Sequence, residues 1–352
     1  MCSALLLSGC NNSKSDSVGG SKPTPEDTPT FTLAWSEYPS WSVFGVAHEL
    51  GLVDKEEGKM GSLEEKHGVD IVLEEATYDT CLNRYTSGNC DAVCMTNMDA
   101  LIICPSRSGV AFLPTSTSVG ADACIVVGID DLDALKDHKI YGLEGTVSQY
   151  CFARCIEEIA KETGGDQKPG DYQFTNQDPA IAAAAMSGNQ ETHQAIMVWN
   201  PFVLQTLNDR ADAKVLFDSS KIPGEIVDMV VVAAESQEKE GADKFMAAVA
   251  DVFYAMNAEM ASEERGDEVL VEVGKKFSQL GLEDMKKVVQ QTQFYKTAED
   301  AKKLMASDEF KQTMEVVEKF CVEQGLVKDP TYTFDGDATA ALQFDASILD
   351  TL

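Results

Sequence analysis

From residue 31 onward the chain alternates short β-rich runs with helical periods, and only layered α/β architectures accommodate that alternation over so long a stretch. FTLAW (31–35), DIVLEEA (70–76), DAVCMT (91–96), ACIVVG (123–128), KIYGLE (139–144), YQFTNQ (172–177), QAIMVW (194–199) and VDMVVVAA (227–234) are expected to be strands. Between them, 40–50 forms a helix stopped by Gly51, and 80–87 one that Asp79 caps and Gly88 stops. A third helix, 147–163, has Thr146 as its cap. After about residue 239 the pattern turns almost wholly helical, with amphipathic stretches at 239–262 and 308–324, and no internal repeat is visible.

A chain of 352 residues exceeds a typical single domain and suits two lobes, each burying its own core. Its 28 Lys and Arg against 59 Asp and Glu give a net charge of −31, which repels nucleic acid and anionic membrane surfaces. No nucleic-acid partner is expected. Most of these carboxylates belong to solvated surface, so only those at strand ends call for a further explanation.

The N-terminus carries an address. Leu5, Leu6, Leu7, Ser8, Gly9 and Cys10 form an apolar run ending in small residues and a cysteine, similar to a bacterial lipoprotein signal over 1–10 with Cys10 as the lipidated residue. The Ser-, Gly-, Pro- and Lys-containing stretch 11–30 then serves as a flexible tether. These features predict a lipid anchor in the membrane and a place in the periplasm or on the cell surface. No later stretch reaches the ~20 apolar residues of a membrane span. Eight further cysteines remain, none in a paired Cys-x-x-Cys spacing, so core packing is expected and no metal.

Ligands of open α/β sheets collect beyond the carboxyl ends of the strands. The residues there are Trp35, Ser36, Glu37, Tyr38 and Trp41; Thr77, Tyr78 and Asp79; Thr96, Asn97 and Asp99; Glu144 and Ser148; and Trp199 and Asn200. Glu225 and Asp228 lie on a segment returning between lobes, and Asp122 lies at the outgoing one. The ligand-binding candidates are Trp35, Glu37, Tyr38, Trp41, Asp79, Thr96, Asn97, Asp99, Asp122, Glu144, Ser148, Trp199, Asn200, Glu225 and Asp228. No Lys or Arg occurs in 31–50, 141–150, 196–201 or 222–229. An oxyanion would call for such residues or for clustered backbone donors. Aromatic faces with carboxylates instead suit a planar cation, guanidinium best of all. Each residue also has a plain structural role to play: Trp35 as core, Asp79 and Asp99 as helix caps.

Enzymatic roles find little support. His48, His67, His138 and His193 are scattered outside any nucleophile or metal motif, and the Gly145 to Ser148 turn lacks the lysine of a phosphate loop. No cofactor is expected.

Several ordered blocks carry a family resemblance: AlaTrpSer at 34–36, TyrThrSerGly at 85–88, ThrAsnMetAspAla at 96–100, LeuGlu and ValSerGlnTyr within 143–150, TrpAsnPro at 199–201, and PheAspSerSerLysIleProGlyGluIleValAsp at 217–228. Over about 31–260 the chain resembles substrate-binding proteins of ABC importers associated with urea carboxylase and guanidine uptake. More distantly it is similar to nitrate-, taurine- and sulfonate-binding proteins. The resemblance implies a type II, periplasmic-binding-protein-like two-lobed α/β fold with a helical C-terminal region. Lobe 1 would comprise 31–115 plus 225–325, lobe 2 120–220, and a C-terminal extension 326–352, with crossings near 115–122 and 218–228. It further implies capture of a small guanidine-like cation by lobe closure and delivery to ABC permease subunits. Alternatives are urea, nitrate, taurine or another sulfonate, and a thiamine-pyrimidine-related binding protein or enzyme, for which Cys81, Cys90 and Cys94 are too dispersed.

Overall fold

The computed structural model describes residues 28–352 except Ser278 and Asp335, so Cys10 and nearly all of the expected tether lie outside the described residues. Among the described residues thirteen strands follow in chain order: β1 (Thr30–Trp35), β2 (Asp70–Glu75), β3 (Ala92–Thr96), β4 (Gly109–Ser118), β5 (Asp122–Val127), β6 (Lys139–Gly142), β7 (Gln173–Asn176), β8 (Ala195–Trp199), β9 (Ala213–Asp218), β10 (Val227–Ala233), β11 (Thr292–Phe294), β12 (Tyr332–Thr333) and β13 (Leu342–Phe344). They form two sheets. The first runs β12-β13-β4-β10-β3-β1-β2 with β11 also paired to β4, and the second runs β7-β6-β8-β5-β9.

Both sheets mix parallel and antiparallel pairs. β1 pairs in parallel with β2 and β3, while β10 returns antiparallel between β3 and β4. In the second sheet β6 is parallel to β7 and β8, and β5 is antiparallel to β8 and β9. Every residue of β3, β5, β8 and β10 is buried, as the apolar runs require of strands covered on both faces. The period of two sorts β5: Ala123, Ile125 and Val127 pack with Ala182, Met186 and Val203 on one side, whereas Cys124 and Val126 join the larger core on the other.

The lobes are joined by two short crossings, 119–121 between β4 and β5 and 219–226 between β9 and β10. Hydroxyls fasten them to each other. Ser118 Oγ lies 2.7 Å from Ser219 Oγ, which also accepts the Gly120 N–H at 2.7 Å, and the Ser118 N–H donates to the Ile226 carbonyl at 3.1 Å. Gly120 has φ +102°, a conformation that disfavours any side chain at this tight passage.

Three expectations need correction. The outgoing crossing expected near 115–122 is shorter, because Thr115 to Ser118 form the polar end of β4, a fully buried ten-residue strand that includes Pro114. Pro114 is tolerated beside a register irregularity between Asp228 and Met229 of β10. Residues 326–352 are no separate extension, since β12 and β13 continue the first sheet and β13 pairs with β4. Asp79 does not cap its helix: the helix is Tyr78–Thr86, Thr77 is the N-cap residue, and Asp79 sits in the first turn, accepting from Asn83 at 3.0 Å. The helix Val147–Thr163 begins as expected, with the Thr146 side chain accepting from the Ser148 N–H and Gly164 closing it in the left-handed region. The eight cysteines of the described residues are all buried and free.

Candidate functional site

Sheet register brings the site together. Asp228, the second residue of β10, stands opposite Thr96 at the end of β3 and Ser116 near the end of β4. The Ser116 hydroxyl donates to Asp228 Oδ2 at 2.5 Å, and its oxygen lies 2.9 Å from Ser40 Oγ, which in turn is 2.9 Å from Thr115 Oγ1. From the other lobe, Asp122 opens β5 opposite Trp199 at the end of β8, and its carboxylate accepts from Ser118 at 2.6 Å. Each carboxylate therefore sits where a strand meets a crossing, one from each sheet.

Aromatic rings complete the enclosure. Trp41 stacks on Tyr78 with centroids 5.6 Å apart, Tyr38 tilts against Trp41 at 4.9 Å, and Tyr78 meets Trp199 edge to face at 5.7 Å across the cleft. Together with Thr96, Val147 and Ile226, these rings and the two aspartates line a small, tightly closed cavity, whose empty space of about 240 Å3 includes open solvent. No lining residue is Lys, Arg or His. The indole N–H groups of Trp41 and Trp199 are buried without a hydrogen-bond partner.

The electrostatics follow from burial. Burial pushes the Asp122 carboxyl up to about 6, with the hydrogen bond from Ser118 opposing it and nearby Asp218 reinforcing it. Asp228 is raised well above the ordinary carboxylate range by burial and by Asp122, against the hydrogen bond from Ser116. Burial and then the Asp228 and Asp122 charges drive the Tyr38 hydroxyl well up. Two acids thus share a buried space with no compensating cation among the described residues, an arrangement that favours either a bound positive charge or protonation.

Asp99 is also buried, but its partners come from the protein. Tyr78 Oη donates to it at 2.6 Å and Thr96 Oγ1 at 2.8 Å. Burial lifts it to about 6, while Tyr78, Thr96 and the backbone N–H of Val147, which belongs to the opposite lobe, favour its charged form. It orients the Tyr78 wall and ties the lobes, and it does not line the cavity. Asn97 clamps the return crossing, donating to the Glu225 carbonyl and accepting from the Val227 N–H, both at 3.1 Å. Asn200 donates to Gln291 Oε1 at 2.8 Å. Ser148 is buried beside Val147 with its hydroxyl unpartnered. Trp35 is core: a Cβ added at Gly45 would lie 2.7 Å from its ring.

The remaining candidates fall away from the cavity. Glu144 is exposed, because its turn places the backbone N–H on Asn176 and leaves the side chain in solvent. Asp79 is exposed on its helix. Glu225 is bound by Arg154, whose Nε and Nη2 reach its two oxygens at 3.0 and 2.9 Å, and by the Tyr150 hydroxyl at 2.6 Å. The segment has no basic residue of its own, and the fold supplies one from the helix Val147–Thr163. Glu37 lines a second, outer cavity. The structure adds Tyr78, Ser116, Ser118, Val147 and Ile226. Tyr78 stands in the strand-end inventory between Thr77 and Asp79, and the structure turns Tyr78 rather than Asp79 into the cavity, while Ser116 and Ser118 are hidden because their end of the strand reads as a polar connection.

Comparison with solved structures places this architecture. The alkanesulfonate-binding protein of Xanthomonas axonopodis pv. citri, bound to MOPS, is 13% identical with a TM-score of 0.65, covering 88% of this chain and 96% of its own. A Candida albicans protein described as having the generic periplasmic binding protein fold is 15% identical with a TM-score of 0.58, covering 88% and 99%. The chain has the periplasmic-binding-protein fold. The periplasmic nitrate-binding protein of Synechocystis PCC 6803 is a further match, 12% identical with a TM-score of 0.59, covering 93% and 86%. No protein-family model and no curated protein matches the sequence. In the periplasmic-binding-protein fold as seen here, the cavity lies between the two sheets beside both crossings. Among the described residues no helix is long and apolar enough to cross a membrane.

Proposed function

We propose that this chain is the solute-binding component of an ABC importer, and that it captures a small cation bearing N–H donors between its lobes. The carrying observation is the pair Asp122 and Asp228, buried at 2% and 1% exposure in an aromatic-walled cavity lined by no basic residue. A planar cation of guanidinium size would lie among Tyr38, Trp41, Tyr78 and Trp199 and offer its edge to the carboxylates, restoring charge balance that the protein itself does not supply. Closing the lobes excludes water and strengthens those contacts, and the contact between Tyr78 and Trp199 is the seam that closure makes. Binding and release require no covalent chemistry. In this proposal Cys10 carries the lipid that holds the protein beside its permease, and Cys10→Ala is expected to move it from the membrane to the soluble fraction.

A small sulfonate or nitrate is the second reading, favoured by what two of the fold neighbours bind and by the unpartnered indole N–H groups of Trp41 and Trp199. It requires both aspartates to be protonated, a form that burial and their mutual repulsion favour, whereas any ionised carboxylate repels the anion. A thermal-shift panel of guanidine, methylguanidine, agmatine, urea, taurine, nitrate and choline decides between them. Stabilisation by guanidines is expected, and a larger stabilisation by taurine or nitrate would overturn the cation assignment.

A further inference from the structure

The inner cavity is small and tightly closed, and it abuts a second, open-mouthed space of about 860 Å3, solvent included. The two share a wall made of Tyr78 and Trp199. Tyr78 and Trp199 are buried like the rest of the inner lining, at 4% and 6% exposure, and they are the two residues that line both spaces. A substituent that runs from a head group in the inner cavity to the outer space passes between these two rings.

The outer space has its own chemistry. Glu37 and Glu75 reach it from the first lobe and Asp178 from the second, so carboxylates approach from both sides of the cleft, and no Lys, Arg or His lines it. Ser36, 4% exposed, also lines it with a hydroxyl that has no hydrogen-bond partner. Asp178 caps the helix Pro179–Ser187, accepting from the Ala180 and Ile181 N–H groups through one oxygen. Its charge thereby stays fixed in place at the rim.

We propose that the outer space is a second subsite that receives a positively charged substituent of the ligand, so that the preferred solutes are guanidines carrying an amine on a short alkyl chain. This rests on the inner cavity being a cation site. The inner aspartates hold the guanidinium, the Tyr78 and Trp199 edges flank the methylenes, and Glu37 with Asp178 attracts the terminal ammonium while the Ser36 hydroxyl oxygen accepts a hydrogen bond from it. Wider, partly hydrated surroundings make this subsite the weaker of the two.

Calorimetry on the full chain tests it with three probes: guanidine, 4-aminobutylguanidine and butylguanidine, the last matching the tail without its charge. Wild type is expected to bind the aminobutyl compound at least about threefold tighter than the butyl compound, as partly exposed charge pairs allow. The double variant Glu37→Gln, Asp178→Asn is expected to abolish that preference and leave guanidine binding unchanged. Asn at 178 retains helix capping, so the variant keeps its fold, checked by its melting temperature. If guanidine binds wild type but the aminobutyl compound binds no tighter than the butyl one, or if the double variant keeps the preference, the outer subsite is overturned while the inner one stands. Failure of all three probes to bind overturns the inner assignment and the subsite with it.

Discussion

Two acidic clusters flank the lobe crossings and differ in one respect. Glu225 is as well enclosed as many core groups, with a side chain 15% exposed, yet Arg154 meets both its oxygens and Glu157 and Glu158 bracket the same guanidinium. Asp122 and Asp228 are more deeply buried and receive only hydroxyl donors. A carboxylate whose counter-charge is built into the fold contributes to holding the lobes. One left without it favours an incoming cation, because desolvation has already been imposed and only the partner is missing.

Removing charge from the unbalanced cluster is the strongest way to break that contrast. Asp228→Asn is expected to weaken the preferred cation at least about tenfold, since the cost of unpairing a desolvated charge is roughly 2 to 5 kcal/mol. The ligand-free melting temperature should hold steady or rise. Calorimetry and thermal melts report both, and unchanged affinity would remove the cation assignment. Arg154→Met should do the reverse, lowering stability by about 2 to 3 kcal/mol because Glu225 is left enclosed without its partner. Ligand affinity measured on the folded variant should change far less than in Asp228→Asn.

Acidification offers a third test with a definite sign. Asp99 and Asp122 titrate near 6 in the folded chain, above the roughly 3.9 of an unfolded aspartate, so the folded state holds more protons between about pH 4 and 6. Their unfavourable effect on ligand-free stability is fully present above about pH 6 and fades as pH falls through that window. The ligand-free melting temperature should therefore gain from these groups between pH 7 and 5, and the gain should shrink in Asp122→Asn. Cation affinity should fall over the same range, because the carboxylates must lose their protons to bind. Asp91, which Lys239 holds low against the opposing effect of burial, loses its contribution only at lower pH and does not mask the trend. The smallest effects belong to Glu144→Gln and Asp79→Asn. Both residues are exposed, and calorimetry is expected to find affinity unchanged within about 0 to 1 kcal/mol. A tenfold loss in either would return these residues to the site.

How much of this was legible depended on local signals. Strands with unbroken apolar runs, such as VDMVVVAA and ACIVVG, lie within a residue of their expected bounds. Strand β4 was not legible, because Pro114 and four successive hydroxyl residues imitate a loop, and only pairing with β10, β11 and β13 stabilises them as strand. β12 and β13 are two and three residues long, too short for any periodicity to register. Within the site, Tyr38, Trp41, Thr96 and Trp199, named from strand ends, and Asp122 and Asp228, named from the crossings, line the cavity. Asp99 and Asn97, from the same motif, turned inward to their own protein.

The sequence by itself determined the alternation of strand and helix, the acidic balance, and the absence of basic residues from the segments that build the cavity, since each is a local property of composition or period. Tertiary structure alone decided which carboxylates remain unbalanced. Arg154 lies 71 residues from Glu225 in the chain and meets it only because a helix of one lobe packs beside the return crossing, whereas among the described residues nothing comparable lines the cavity of Asp122 and Asp228. Counter-charges act over a few ångströms of space, and distance along the chain carries no information about them.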